Sequence, residues 1–156
     1  MPKSILILGI GNMLLNDEGV GIRVISRLEM EGYSRADLMD GGTGGFHLLG
    51  ALQSYSTVIV VDASLDEYPP GNVRILQPKY ARDFPKQLSA HEIGLKDLID
   101  AAALTGNMPH LYLMAISVGN FQELGMNLSP EVEAAIPEAV RLIKELVDGL
   151  EKDAKT

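Results

Sequence analysis

The chain has 156 residues, a formal net charge of -8 and no cysteine. This length fits a single domain, and the missing cysteines exclude a disulfide scaffold, a thiol nucleophile and cysteine metal ligands. The excess of acidic residues, without any run of basic ones, argues against a nucleic-acid-binding protein. The first apolar run, ILIL, is cut by Gly9 and is too short for a signal peptide or a membrane span, so we expect a cytoplasmic protein. From its length and apolar content we expect a monomer.

Apolar runs of strand length alternate with helical patterns through the first half of the chain. The run SILILG at 4–9 is continuously apolar and predicts a fully buried strand. An apolar stripe at helical spacing predicts a helix over 20–31 that ends at Gly32. The next predicted elements are a short strand at 36–40, a helix at 45–54 and a strand at 57–63.

A turn and a helix start are the clearest local signals in the middle of the chain. The segment YPPG marks a turn, and the run that follows it at 73–77 predicts an edge strand. Because only a turn separates this strand from the preceding loop, we predict that it runs antiparallel. Ser89 and Glu92 have the S-x-x-E spacing of a capping box, which predicts a helix with His91 in its first turn.

The last third of the chain contains one strand and one long helical pattern. The segment LYLMAIS at 111–117 predicts the strand, and Pro130 opens a helix that Pro137 either kinks or interrupts. Strands that alternate with helices are typical of βαβ units and a mainly parallel sheet. We therefore expect a single α/β domain over 1–150, followed by a polar, frayed tail over 151–156.

Three polar side chains from distant parts of the chain fall at one edge of this predicted sheet. Glu18 follows the first strand, Asp62 ends the third, and His91 begins a later helix. In open α/β sheets the ligands collect at the carboxyl ends of the strands. Two carboxylates and an imidazole suit a divalent metal such as nickel or zinc, which could polarise a carbonyl or lower the pKa of a bound water.

Simpler roles for these residues remain open from the sequence alone. Asp17 and Glu18 could stabilise a helix N-terminus through the helix dipole, an effect of about 0.3 to 1 kcal/mol. Asp62 could be an N-cap or could bind a ribose, and His91 could be an exposed histidine without a role. Spacing does not decide between these alternatives and a metal site.

A nucleotide site is the main competing interpretation of the opening strand and turn. The fingerprint G-x-G-x-x-G fails because Gly9 and Gly11 are followed by Leu14. The chain also lacks the phosphate-binding motif G-x-x-x-x-G-K-[ST] and the serine elbow G-x-S-x-G. A nucleotide-binding regulator would therefore need a phosphate cradle that the sequence does not show.

Five segments together resemble the successive motifs of the hydrogenase maturation endopeptidases, which process the large subunit of nickel-iron hydrogenases. The segments are LGIGNMLLNDEGVG, DGGTGG, VIVVDAS…PPGNV, SAHEIGL and LSPEVEAAIPEAV. They occur in the family's order between about residues 5 and 145. The resemblance implies a three-layer α/β sandwich, with helices on both faces of a twisted, mainly parallel, five-stranded sheet.

The resemblance also implies the activity of a metal-dependent endopeptidase. Such an enzyme removes the C-terminal extension from a hydrogenase precursor after nickel insertion. The resemblance implies that the precursor itself supplies the nickel that the enzyme recognises, and that other divalent metals substitute for it in vitro. The metal-binding and catalytic positions of the family fall on Glu18, Asp62 and His91. Asp17 matches a family acid beside the first ligand and is counted with the catalytic residues, where it either orients a water or caps the helix.

The glycine-rich segment of the resemblance is expected to border the substrate cleft, where a missing Cβ lets a backbone approach closely. Its residues here are Gly41, Gly42, Thr43 and Gly44. The segment MAISVGN departs from the family pattern after the last strand, which leaves open the identity of the hydrogenase. The alternative function is a nickel-sensing or chaperone module that binds the same precursor without cutting it.

Overall fold

The computed structural model describes residues 4–43, 48–77, 95–106, 108–119 and 124–154. Within these ranges the chain forms one five-stranded sheet, with the strand order β2-β1-β3-β5-β4. The strands are β1 (Ile5–Gly9), β2 (Asp37–Asp40), β3 (Thr57–Ser64), β4 (Val73–Leu76) and β5 (His110–Ser117). The first, second, third and fifth strands are parallel, and β4 runs antiparallel to β5 at the sheet edge, as the sequence predicts.

Helices cover both faces of the sheet, which confirms the three-layer α/β architecture. The helices are α1 (Val20–Met30), α2 (Leu49–Ser54), α3 (Leu95–Thr105) and α4 (Pro130–Ala154). Alternate strand residues point to opposite faces. Ile7 and Ile59 therefore pack with α1 and α4, whereas Leu8 and Val60 pack with α2 and α3. None of these helices is both long enough and apolar enough to cross a membrane.

Most predicted elements agree with the structure to within two residues, but some helix starts differ or cannot be compared. A 3-10 helix, Asn16–Gly19, precedes α1 where the sequence predicts only a loop. Helix α2 begins at Leu49, and its predicted start at 45–47 lies outside the described residues. The predicted capping box and His91 lie in 78–94, which are also outside them.

Helix α4 is continuous for 25 residues, with Pro137 in its interior. Pro137 cannot donate to the carbonyl of Glu133, but both residues are exposed, so water can bind that carbonyl. The buried stripe of α4 continues on both sides of the proline and holds the helix to the sheet. The helix also extends four residues into the predicted tail, where Glu151 pairs with Arg35.

Candidate active site at the carboxyl edge of the sheet

The parallel strands create a crevice where β1 and β3 lie side by side. From β1 the chain crosses to β2 on one side, whereas β3 and β5 lie on the other. Such a reversal of strand order separates the connecting loops and is the usual ligand site of an open α/β sheet. The crevice lies beyond Gly9, where β1 ends, while β3 continues to Ser64.

Glu18 reaches this crevice because the connection from β1 folds back against β3. The backbone N–H of Ile10 donates to the carbonyl of Val61 at 3.0 Å, and the N–H of Asn12 donates to the carbonyl of Glu18 at 3.1 Å. The 3-10 helix that carries Glu18 contacts β3. A Cβ at Gly11, where φ is +155°, would lie only 2.0 Å from that Glu18 carbonyl. Glycine at this position therefore allows Glu18 to be buried at 1% exposure.

Asp62 approaches the crevice from β3, beside the end of β1. It pairs with Ala115 of β5 and is completely buried. The backbone N–H of Ala63 donates to its Oδ1 at 2.7 Å. Alternation along β3 directs Asp62 to the face covered by α2 and α3. The structure thus brings Glu18 and Asp62 to the crevice from its two sides.

The described residues include two of the three predicted metal ligands. His91 lies in the segment 78–94, outside the described ranges. Among the residues inside those ranges, no three His, Asp or Glu side chains form a metal site. Two buried carboxylates match the oxygen donors of a divalent metal site, and the predicted site requires His91 to complete it.

Asp17, next to Glu18, makes structural contacts. Its Oδ1 accepts the backbone N–H of Ser129 at 2.7 Å, and its Oδ2 accepts the Ser129 hydroxyl at 2.9 Å. Ser129 immediately precedes α4, so Asp17 ties the 3-10 helix to the start of a helix far along the chain. The sequence suggested that Asp17 either orients a water or caps α1. Both carboxylate oxygens bind Ser129, a partner that the sequence analysis did not identify.

We expect Ser129→Ala to lower the free energy of unfolding by about 1 to 3 kcal/mol, the usual cost of losing a hydrogen bond to a charged group. Ser129→Thr keeps the hydroxyl and is expected to retain most of the stability. Urea unfolding monitored by circular dichroism measures the difference. Equal stability of the Ala and Thr variants would show that the hydroxyl contact with Asp17 contributes nothing.

The glycine-rich turn after β2 lies at the same edge. The N–H of Gly41 donates to the carbonyl of Gly9 at 2.8 Å, and the N–H of Gly11 donates to the carbonyl of Gly42 at 2.8 Å. Gly42 has φ of +58°, a conformation that favours glycine. Thr43 is exposed. The described part of the predicted cleft segment therefore borders the loop that leads to Glu18, while Gly44 lies outside the described residues.

A second polar cluster at this edge was missed by the sequence analysis. Asp66 accepts hydrogen bonds from the Ser117 hydroxyl at 2.8 Å, the Arg74 guanidinium at 2.7 Å and the Tyr68 backbone at 3.0 Å. Arg74 also lies over the Tyr68 ring, 4.2 Å from its centre. These contacts join the β3–β4 connection to the end of β5. An acid just past a strand, with an arginine on the next strand, is the only local signal of the cluster.

The cluster predicts a pH dependence of stability. Burial alone would raise the pKa of Asp66. The hydrogen bonds from Ser117 and Tyr68 and the positive charge of Arg74 lower the pKa by more than burial raises it, so the pKa lies below its usual value. The ionised carboxylate therefore stabilises the fold above its ordinary pKa of about 3.9, and this contribution is lost as the pH falls through the lowered pKa. We expect the stability difference between wild type and Asp66→Asn to shrink below about pH 4.

Urea unfolding between pH 7 and pH 3 measures this effect. Asp100→Asn is the matched control, because Asp100 is an exposed acid on α3. The free energy of unfolding of this control should differ from that of wild type by nearly the same amount over the whole pH range. If the difference for Asp66→Asn is also constant, the ionised Asp66 carboxylate does not stabilise the fold.

Comparisons with known proteins agree with this fold and show the family. A family model described as hydrogenase maturation protease matches residues 22–146. The chain is 34% identical to the hydrogenase 2 maturation protease of Escherichia coli (strain K12), covering 89% of this chain and 87% of that protein. Sequence similarity therefore extends over nearly the whole length of both proteins.

Solved structures give the same result. The hydrogenase maturating endopeptidase HybD from E. coli is similar at a TM-score of 0.82 and 33% identity, covering 96% of this chain and 93% of that one. The [NiFe] hydrogenase maturation protease HybD from Thermococcus kodakarensis is similar at a TM-score of 0.76 and 27% identity, covering 94% and 99%. The family match, the sequence identity and the shared fold together show that this chain belongs to the hydrogenase maturation protease family.

Proposed function

We propose that the chain is a metal-dependent endopeptidase that removes the C-terminal extension from the precursor large subunit of a nickel-iron hydrogenase. Membership of the protease family supports the hydrolysis of a peptide bond. The related structures are named as an endopeptidase and as a [NiFe] hydrogenase maturation protease. The observation that carries the proposal is the burial of Glu18 and Asp62 on the two sides of the crevice between β1 and β3.

The nickel in this proposal arrives with the precursor as part of the substrate. Glu18 and Asp62 offer carboxylate oxygens, and His91 is the proposed third ligand. A divalent metal near the scissile bond supplies Lewis-acid chemistry at the carbonyl oxygen. A carboxylate of the site can act as the base that takes a proton from the attacking water, and the amide nitrogen leaves with a proton. The chain has no cysteine nucleophile, which agrees with attack by water.

Other residues at the edge would hold the substrate and shape the site. At Gly42 no side chain blocks the approach of a substrate backbone beside the loop from β1, and no protein atom lies within 4 Å of where a Cβ would be. Gly41 is buried, and its missing Cβ instead lets the turn pack against Leu8. Asp17 acts through position rather than chemistry, because its bonds to Ser129 fix the 3-10 helix that carries Glu18. The proposed catalytic groups are thus Glu18, Asp62 and His91.

Mass spectrometry of the intact cognate precursor tests this function. Incubation of the nickel-loaded precursor with the wild-type chain should release one defined C-terminal peptide and shorten the large subunit by the same mass. The nickel-free precursor is the matched control and should stay intact. If the nickel-loaded precursor binds the chain but keeps its full mass, the chain is a nickel-sensing or chaperone module instead. Cleavage at the same rate without nickel would contradict the role of substrate nickel.

A further inference from the structure

Three large apolar side chains face solvent beside the candidate active site. Leu14 is 57% exposed, Leu124 is 82% exposed and Met126 is 54% exposed. Leu14 belongs to the loop after β1, and the other two precede α4. These three residues are called the apolar rim below. Exposure of a single apolar side chain is ordinary, whereas a group of them on one surface indicates a binding site.

Backbone pairing places the members of the apolar rim side by side. The N–H of Gly125 donates to the carbonyl of Leu14 at 2.8 Å, and the N–H of Asn16 donates to the carbonyl of Gly125 at 2.8 Å. These two bonds form a parallel bridge between Leu15 and Gly125. Residues before each bridge partner lie next to each other and direct their side chains to the same face. Leu14 and Leu124 are therefore neighbours, and Met126 follows two residues later along the same segment.

The apolar rim is held in place by further contacts. The N–H of Asn127 donates to the Oδ1 of Asn16 at 3.1 Å, and the Arg23 guanidinium donates to the carbonyl of Met126. A Cβ at Gly125 would lie 2.3 Å from the same Asn16 oxygen, so a side chain there would have to displace the Asn16 amide from its hydrogen bond. A surface that is already ordered loses little conformational entropy when it binds a partner.

The position of the apolar rim indicates its partner. Leu14 lies four residues before Glu18 in one continuous segment, so its Cα lies within about 15 Å of the Glu18 Cα. About four or five extended residues of a bound polypeptide span that distance. A stable dimer needs about 800 Å² from each partner, far more than three side chains offer. A small apolar surface instead suits a substrate that is bound at the catalytic crevice as well. The rim is therefore placed to extend the binding site of the crevice.

We propose that the apolar rim binds an apolar segment of the precursor large subunit next to the scissile bond. This inference rests on the proposed endopeptidase function. It assigns to Leu14, Leu124 and Met126 the recognition of the protein substrate, separate from the chemistry at Glu18 and Asp62. The contact would add affinity for precursors with leucine-like side chains at that position and would discriminate against polar ones.

Steady-state kinetics with the nickel-loaded cognate precursor test the proposal. Leu14→Ser and Met126→Gln, alone and together, should raise KM, by about 10-fold or more in the double variant, while kcat changes little. Met30→Gln and Leu104→Ser are matched controls, since Met30 and Leu104 are 84% and 89% exposed elsewhere on the surface. A KM within twofold of wild type for the double variant would overturn the proposal. So would an equal rise for the control variants.

Direct binding separates this proposal from the proposed function. The Glu18→Gln variant and the double variant Glu18→Gln, Leu14→Ser are each immobilised. The affinity of each for the nickel-loaded precursor is measured by biolayer interferometry. If wild type does not cleave the precursor but the added Leu14→Ser substitution weakens binding, the proposed catalysis is refuted and the role of the apolar rim stands. If the precursor binds the single and the double variant with equal affinity, the proposed role of the apolar rim is refuted. Self-association of wild type that Leu14→Ser abolishes, seen by sedimentation velocity, would assign the surface to a second copy and overturn the proposal.

Discussion

Glu18→Gln and Asp62→Asn are each expected to lower kcat/KM for the nickel-loaded precursor by at least about 100-fold, the scale of losing a general base or a charged metal ligand. The amides keep the shape of the two side chains but remove the negative charges that face the crevice between β1 and β3. Time courses of precursor mass by mass spectrometry measure the loss. Melting temperatures close to that of wild type show that the variants remain folded.

Two exposed acids provide the controls for this result. Glu29 on α1 and Asp100 on α3 both face solvent away from the crevice, so Glu29→Gln and Asp100→Asn change the net charge by the same amount. They should retain cleavage within about twofold, as surface substitutions usually do. Wild-type cleavage by a folded Glu18→Gln variant would remove Glu18 from the mechanism, and the same holds for Asp62.

Gly21→Ala is expected to destabilise the fold by about 2 to 4 kcal/mol, since overpacking against rigid atoms is costly. A Cβ at Gly21 would lie 2.3 Å from the carbonyl oxygen of Val61 and 2.5 Å from that of Ile10. Both obstacles are backbone atoms of the sheet and its first connection, so α1 would have to move away. The 3-10 helix that carries Glu18 directly precedes α1 and would move with it, so cleavage should fall as well.

Gly50→Ala is the matched control for this prediction. Gly50 lies in α2, and a Cβ there would meet no atom within 4 Å. Alanine reduces the entropy of the unfolded chain and favours the helix, so the variant should be more stable by up to about 1 kcal/mol. Chemical unfolding of both variants gives the comparison. A Gly21→Ala protein as stable as Gly50→Ala would show that the helix is not held against the sheet by this contact.

Much of the fold follows from local patterns in the sequence. Continuous apolar runs predicted the buried strands, since both faces of a parallel sheet are covered. The turn YPPG predicted that β4 is antiparallel, and the structure confirms it. Glu18 and Asp62 were placed at one edge because parallel strands share their carboxyl ends. The structure brings both residues there as buried side chains.

The remaining features depend on contacts between distant residues. Asp17 and Ser129 are 112 positions apart, and no local spacing signals their hydrogen bonds. The pairing of Leu15 with Gly125 is equally invisible in the sequence, so the apolar rim could not be predicted. At Pro137 the sequence left a kink or a new helix open. The apolar stripe on both sides of the proline packs on the sheet, and α4 continues through it as one helix.

Nickel K-edge absorption spectroscopy tests most directly whether Glu18 and Asp62 hold the nickel of the substrate. The nickel-loaded precursor is measured alone, then mixed with wild type and frozen before turnover, then mixed with the double variant Glu18→Gln, Asp62→Asn. Wild type should add oxygen ligands to the nickel, and the double variant should leave the spectrum of the precursor unchanged. A precursor that is cleaved by wild type while its nickel spectrum stays the same throughout would contradict the account.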